Sequence, residues 1–141
     1  DALPDELTRS RPWLSVYSAW AHFITGKVEA VDQCLEVAQR LSHLAEKDLL
    51  GHIAVIRARM ALADQDLSSA IKLASQALKY VPAGHPVRGH IAVIQGQAAF
   101  VQGNLVEAGQ ALGEAVSIAK ECGHLFMVVD ATTRLGYLQT L

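Results

Sequence analysis

The chain has 141 residues, about half of them apolar and 18% charged, with a formal net charge of −2. That length suits one domain burying about two thirds of its unfolded surface, and the composition excludes a disordered chain. The charge balance excludes a broad basic face, so this segment is not expected to bind nucleic acid directly.

Residues 1–11 read as a linker or a short helical lead-in, and Pro12 suits the first turn of a helix, where its missing N–H is not needed. A first helix is expected from Pro12 to Thr25, stopped at Gly26. A second runs from Val28 to about Ala45, with Val28, Val31, Leu35, Ala38 and Leu41 on one face. A third spans about Asp48 to Ala63 and a fourth Asp66 to Tyr80, each opened by an acid suited to an N-cap or first turn. Pro82, Gly84 and Pro86 then break the chain. The fifth helix runs from about Val87 to Val101. Asn104 caps the sixth, which Gly123 stops. Leu125 to Leu141 forms the seventh. No segment alternates with period two for long enough to be a strand.

These helices repeat. Gly51-His52-Ile53-Ala54-Val55-Ile56 recurs 38 positions later as Gly89-His90-Ile91-Ala92-Val93-Ile94. Periods of 20 to 50 residues mark stacked repeats. The turn between paired helices holds Gly26, Gln65 and Gly103. After it come Val28, Leu67 and Leu105, then Val31, Ala70 and Ala108, then Leu35, Ala74 and Leu112, then Ala38, Ala77 and Ala115. In the first helix of each pair a small residue recurs at Ala19, Ala58, Gly96 and Gly136, where neighbouring helices can approach closely.

The rows resemble the tetratricopeptide repeat, whose Gly-x-apolar-x-x-Ala turn is matched by Gly103-Asn104-Leu105-Val106-Glu107-Ala108 with Ala115 beyond it. The period of 38 to 40 is longer than the family's usual 34, and HEAT-type repeats are the runner-up. The resemblance implies an all-α, right-handed α-solenoid of antiparallel helix pairs, with seven helices in about three and a half repeats. The units fall at about 12–46, 47–84, 85–123 and a partial 124–141. Lengthened units of this kind, with Leu3-Pro4-Asp5-Glu6, Ser10-Arg11-Pro12-Trp13-Leu14 and Ala19-Trp20-Ala21, are similar to the C-terminal sensor region of MalT-like, LuxR-type ATP-dependent transcriptional activators. The chain shows neither a phosphate-binding Gly-rich loop nor a helix-turn-helix, so on that resemblance nucleotide and DNA binding belong to other portions.

The family resemblance further implies that the first helix of each pair lines a concave surface. Helical spacing then places four rows on that face. They are Trp13, His52, His90 and Asp130; Val16, Val55, Val93 and Thr133; Trp20, Arg59, Gln97 and Tyr137; and Phe23, Leu62, Phe100 and Thr140. A ligand or partner groove is therefore expected from Trp20, His52, Arg59, His90, Gln97, Phe100, Asp130 and Tyr137. Trp20 and Phe23 could equally pack against a neighbouring repeat, and Trp13 reads as a cap over the first apolar face.

Chemistry of the chain's own is not expected. His52, His90 and Asp130 lie on successive repeats, too far apart for a metal held at about 2 Å, and no nucleophile–base–acid arrangement emerges. Glu29, Glu36, Glu107 and Glu114 read as a solvated outer face. The inner rows lack the Lys, Arg and Asn clamp with which tetratricopeptide co-chaperones take an acidic tail. No cofactor, metal or membrane partner is expected. Cys34 and Cys122, isolated in a helical chain, read as buried thiols in a reducing, cytoplasmic setting.

Two functions compete: a sensor module binding a small inducer or a partner protein, and an interaction scaffold with no small ligand. The opening at Asp1 without Met reads as a piece of a longer protein. The seventh helix, apolar at Leu125, Phe126, Val128, Val129, Leu135 and Leu138, is expected to pair two copies or to leave Phe126 and Val129 as an exposed patch.

Overall fold

The computed structural model describes the backbone of residues 2–41 and 47–141, and side chains from residue 11 onward within those ranges. The described residues form seven α-helices and no strand: α1 (Ala2–Ile24), α2 (Val28–Leu41), α3 (Lys47–Ala63), α4 (Leu67–Leu78), α5 (Arg88–Val101), α6 (Leu105–Cys122) and α7 (Leu125–Gln139). Each helix packs on the next, and the odd-numbered helices also pack on one another in order, α1 on α3, α3 on α5 and α5 on α7. That is the contact pattern of a stacked helix-pair solenoid.

The helix ends follow local chemistry. Asp66 caps α4 by accepting from the Ser69 N–H at 3.1 Å, and Asn104 caps α6 by accepting from the Glu107 N–H at 3.3 Å. Gly123 ends α6 in the left-handed region at φ 68°. The three aligned turn positions are left-handed too: Gly26 at 77°, Gln65 at 63° and Gly103 at 81°. Gln65 thus adopts a backbone that its Cβ disfavours, because the repeat demands the same turn there.

Several expectations are corrected. Pro12 stands inside α1 and not at its first turn, since the lead-in is itself helical; its missing N–H costs α1 one internal hydrogen bond. The end of the second helix expected near Ala45 lies outside the described residues. Val28 and Leu105 are exposed, because the first residue of each outer helix points past its neighbours. Cys122 is exposed and Cys34 half-buried, so neither is a core thiol.

The core runs along the stack as three adjoining clusters. Val16, Ala19, Val31, Leu35, Ala38, Leu49, Ile53 and Ile56 join α1, α2 and α3. Val55, Ala58, Ala70, Ala74, Ala77, Val87, Ile91 and Ile94 join α3, α4 and α5. Ala92, Val93, Ala115 and Ala131 join α5, α6 and α7. Three of the aligned outer-helix rows, those beginning at Val31, Leu35 and Ala38, supply buried residues at every repeat.

The small-residue row is half constraint and half relic. A Cβ on Gly96 would lie 2.7 Å from Leu112 Cγ and 3.3 Å from the Ala108 carbonyl, so α5 and α6 meet there with no space to spare. A Cβ on Gly136 would meet nothing within 4 Å. Gly96→Ala should therefore cost about 1–3 kcal/mol in urea unfolding, the usual penalty of overpacking. Gly136→Ala should be neutral or stabilise by up to about 1 kcal/mol through helix propensity alone.

Candidate functional site

The inner helices bring their long side chains together along one wall. Trp20 of α1 donates its indole N–H to His52 Nδ1 of α3 at 3.2 Å, and its ring lies over His90 of α5 with centroids 4.5 Å apart. Phe23, one turn further along α1, meets Phe126 of α7 edge-to-face at 5.9 Å. The first and last inner helices thus touch through their side chains although their backbones do not pack directly. The wall curves tightly enough to fill its own middle.

At the centre of that filling is a charge. Arg59 is 4% exposed, and its Nη2 donates to Asp130 Oδ2 at 2.5 Å, across 71 residues of sequence. Its guanidinium also lies 5.7 Å from the Phe23 ring centroid. Arg134, one turn beyond Asp130, donates to the other carboxylate oxygen at 3.0 Å and to Gln97 Oε1 at 3.1 Å. Burial pulls the Arg59 guanidinium below its ordinary value, and Asp130 opposes this. Burial alone would raise the Asp130 carboxyl, but the two guanidiniums outweigh it and hold the group below the usual carboxylate range. Arg59 Nε and Nη1 remain buried without a hydrogen-bond partner.

Two cavities flank this centre. One, of about 290 Å³, is lined by Tyr17, Trp20, His52, His85, His90 and His124, with Pro86 and Val87 closing it. The other, of about 280 Å³, lies between Gln97, Phe100, Leu112, Thr133, Arg134, Tyr137 and Leu138, with Phe100 and Tyr137 edge-to-face at 6.0 Å.

All eight groove residues expected from the sequence lie along this wall. Trp20, His52 and His90 line the first cavity and Gln97, Phe100 and Tyr137 the second, while Arg59 and Asp130 line neither and pair with each other. Several of their expected row-mates do not contribute. Val16, Val55 and Val93 are wholly buried core, and Thr140 is exposed at the edge; Thr133 does line the second cavity. Trp13 packs against the first core cluster and edge-on to His52 at 5.3 Å.

Sequence reading missed His85, His124, Phe126 and Arg134. His85 sits in the α4–α5 turn, which Arg88 staples by donating to the Pro82 and Val81 carbonyls, both at 2.8 Å. His124 is the N-cap of α7, its Nδ1 accepting from the Met127 N–H at 3.2 Å. A signal existed: His85 and His124 stand one repeat apart in equivalent turns, and Arg134 follows Asp130 by four residues.

Two of these histidines, His52 and His90, are held neutral. Burial, then the neighbouring His85, pushes His52 down to about 4 despite the opposing Asp48. Burial lowers His90 well below its ordinary value, with Arg59, His124 and His52 adding to it. A metal site does not suit this arrangement. A metal-bound imidazole donates its other N–H to an acceptor, whereas His52, His85 and His124 each accept at Nδ1. Among the described residues no group of three His, Cys, Asp or Glu side chains is placed to hold an ion.

Residues 51–141 match the family model described as the MalT-like TPR region, which covers well over half of the chain. No curated protein matches, and neither does any solved structure.

Two measurements test the wall. Asp130→Ala leaves a buried guanidinium without its carboxylate and should cost about 3–5 kcal/mol in urea unfolding, far more than a surface ion pair. The histidines set a pH dependence. Unfolded, both titrate near about 6.5, so between there and the folded value of about 4 the unfolded chain binds more protons. Stability should fall as pH falls through that window, and His52→Gln should flatten the slope of melting temperature against pH.

Proposed function

The chain belongs to the family of MalT-like tetratricopeptide regions, and on that premise we propose that it is the non-catalytic sensor module of a LuxR-type transcriptional regulator. On this reading a small inducer binds the inner wall in the cytoplasm. The observation that carries it is the closure of the wall by Arg59–Asp130 and Phe23–Phe126, which leaves two small cavities in place of an open channel. An extended peptide would need both contacts broken; a molecule of one or two rings would not.

The mechanism is a population shift. The stack's nearest-neighbour contacts tolerate a range of curvatures, and the crossing contacts select one of them. A ligand that fits the cavity only in that curvature raises its population by the ligand's differential affinity, and so biases how attached domains associate. Protein partners and self-association remain the second reading. It draws on the exposed Leu125 and Val129 of α7, which are 76% and 58% accessible; Phe126, turned inward onto Phe23, is not part of that patch. No helix among the described residues is long and apolar enough to cross a membrane.

Thermal melting against a metabolite library tests the sensor reading. An inducer at about a hundredfold excess over its Kd adds about 2.7 kcal/mol, a rise of several degrees. Trp20→Ala should abolish that rise. A flat screen, together with a protein partner whose binding survives Trp20→Ala, would replace the sensor by a scaffold.

A further inference from the structure

We infer that the histidine-lined cavity is a binding site for a small planar molecule carrying an anionic acceptor group, a carboxylate or a phosphate. This deepens the sensor reading and rests on it. His52 Nδ1 accepts from the Trp20 indole, His85 Nδ1 from the Val87 N–H, and His124 Nδ1 from the Met127 N–H, each at 3.2 Å. A neutral imidazole has one donor and one acceptor nitrogen, so an accepting Nδ1 puts the proton on Nε2. Three rings from three different segments are thereby fixed in one tautomer, each with its donor on Nε2. Among the described residues these Nε2 atoms have no partner in the protein, and none is among the buried atoms left unsatisfied. They are free donors carried by rings that line the cavity.

His90 supplies the second observation. It is 2% exposed, stacks on Trp20, lines the same cavity, and its Nδ1 is buried without a partner. A buried polar atom in that state is unfavourable and marks a place where the protein alone leaves bonding capacity unused.

The field agrees with the donors. Arg59 is close enough to disfavour a positive charge on His90, and the histidines disfavour it on one another. Asp48 opposes them at His52. A cation entering here meets open N–H groups with Arg59 behind them; an anion meets donors. The remaining wall is ring and aliphatic surface from Trp20, Tyr17, Pro86 and Val87, suited to a flat apolar body. A volume of about 290 Å³ is at the lower end of the range for ligand pockets and limits the occupant to about one ring system.

The test uses benzoate and phenyl phosphate as anionic probes, benzamide as the neutral isostere and benzylamine as the cationic one. Binding to the full chain is followed by Trp20 fluorescence and by the histidine side-chain ¹⁵N resonances. One or both anions should bind at least about tenfold tighter than benzamide, since charge-assisted hydrogen bonds outweigh neutral ones by that much. Benzylamine should not bind. The Nε2 resonances of His52, His85 and His124 should shift, and His85→Gln, a change in a half-buried turn residue, should weaken the anion selectively. The relative strength of the two anions identifies which acceptor the site takes. Benzamide binding as tightly as both anions at shifted histidines would overturn the anionic class while leaving the sensor reading intact. No binding by any probe at about 10 mM, or shifts confined to other residues, would overturn the site; several kcal/mol of affinity lie within reach of even fragment-sized ligands.

Discussion

A guanidinium cannot be buried without an acceptor, and in this molecule the acceptor comes from the far end of the chain. Arg59 sits on α3, wholly enclosed, and Asp130 sits on α7. In a helix-pair stack the curvature is the sum of small rotations between adjacent repeats, so slight changes at each accumulate along its length. The pair discriminates among those sums. Satisfying Arg59 requires the stack to bend until α7 comes back within side-chain reach of α3. The same bend puts Phe126 on Phe23 and lays Trp20 over His90. Desolvation makes such a pair a weak source of net stability but a strong selector of geometry, because any curvature that separates the partners leaves one of them buried and alone.

The functional shape follows from that selection. An inner wall that was merely concave would expose its aromatic and charged rows to solvent along their whole length. Here the central part is closed by its own side chains, and accessible space survives only on either side of the pair. Arg134 ties the second cavity to the pair, since it donates to Asp130 and to Gln97 at once.

The fold was legible because each repeat repeats its own physics. Gly26, Gln65 and Gly103 share a left-handed turn even though one of them is not glycine, and alignment by position found all three. The rows at Val31, Leu35 and Ala38 are buried at every repeat, as periodicity requires. The inner rows were legible as faces but not as contacts. Helical phase places Arg59 and Asp130 on one wall, yet it assigns Asp130 to the row of His52 and Arg59 to that of Trp20. Their meeting depends on curvature, which is a sum of small rotations that no local pattern encodes. His85 and His124 were lost for a different reason. Turns were read as punctuation, and a histidine acting as an N-cap does not belong to the usual set of Ser, Thr, Asp and Asn.

Those two histidines connect the wall to the joints of the stack. His85 accepts from the backbone where α5 is about to begin, and His124 accepts from the first turn of α7. Each ring therefore has one nitrogen holding a turn between repeats, on a side chain that also lines the cavity. A group bonded to Nε2–H polarises the ring and makes Nδ1 a better acceptor, so contact in the cavity tightens the turn behind it. Because the turns set the rotation from one repeat to the next, and the sum of those rotations is what brings Asp130 to Arg59, the two histidine-held turns and the buried pair bear on the same curvature.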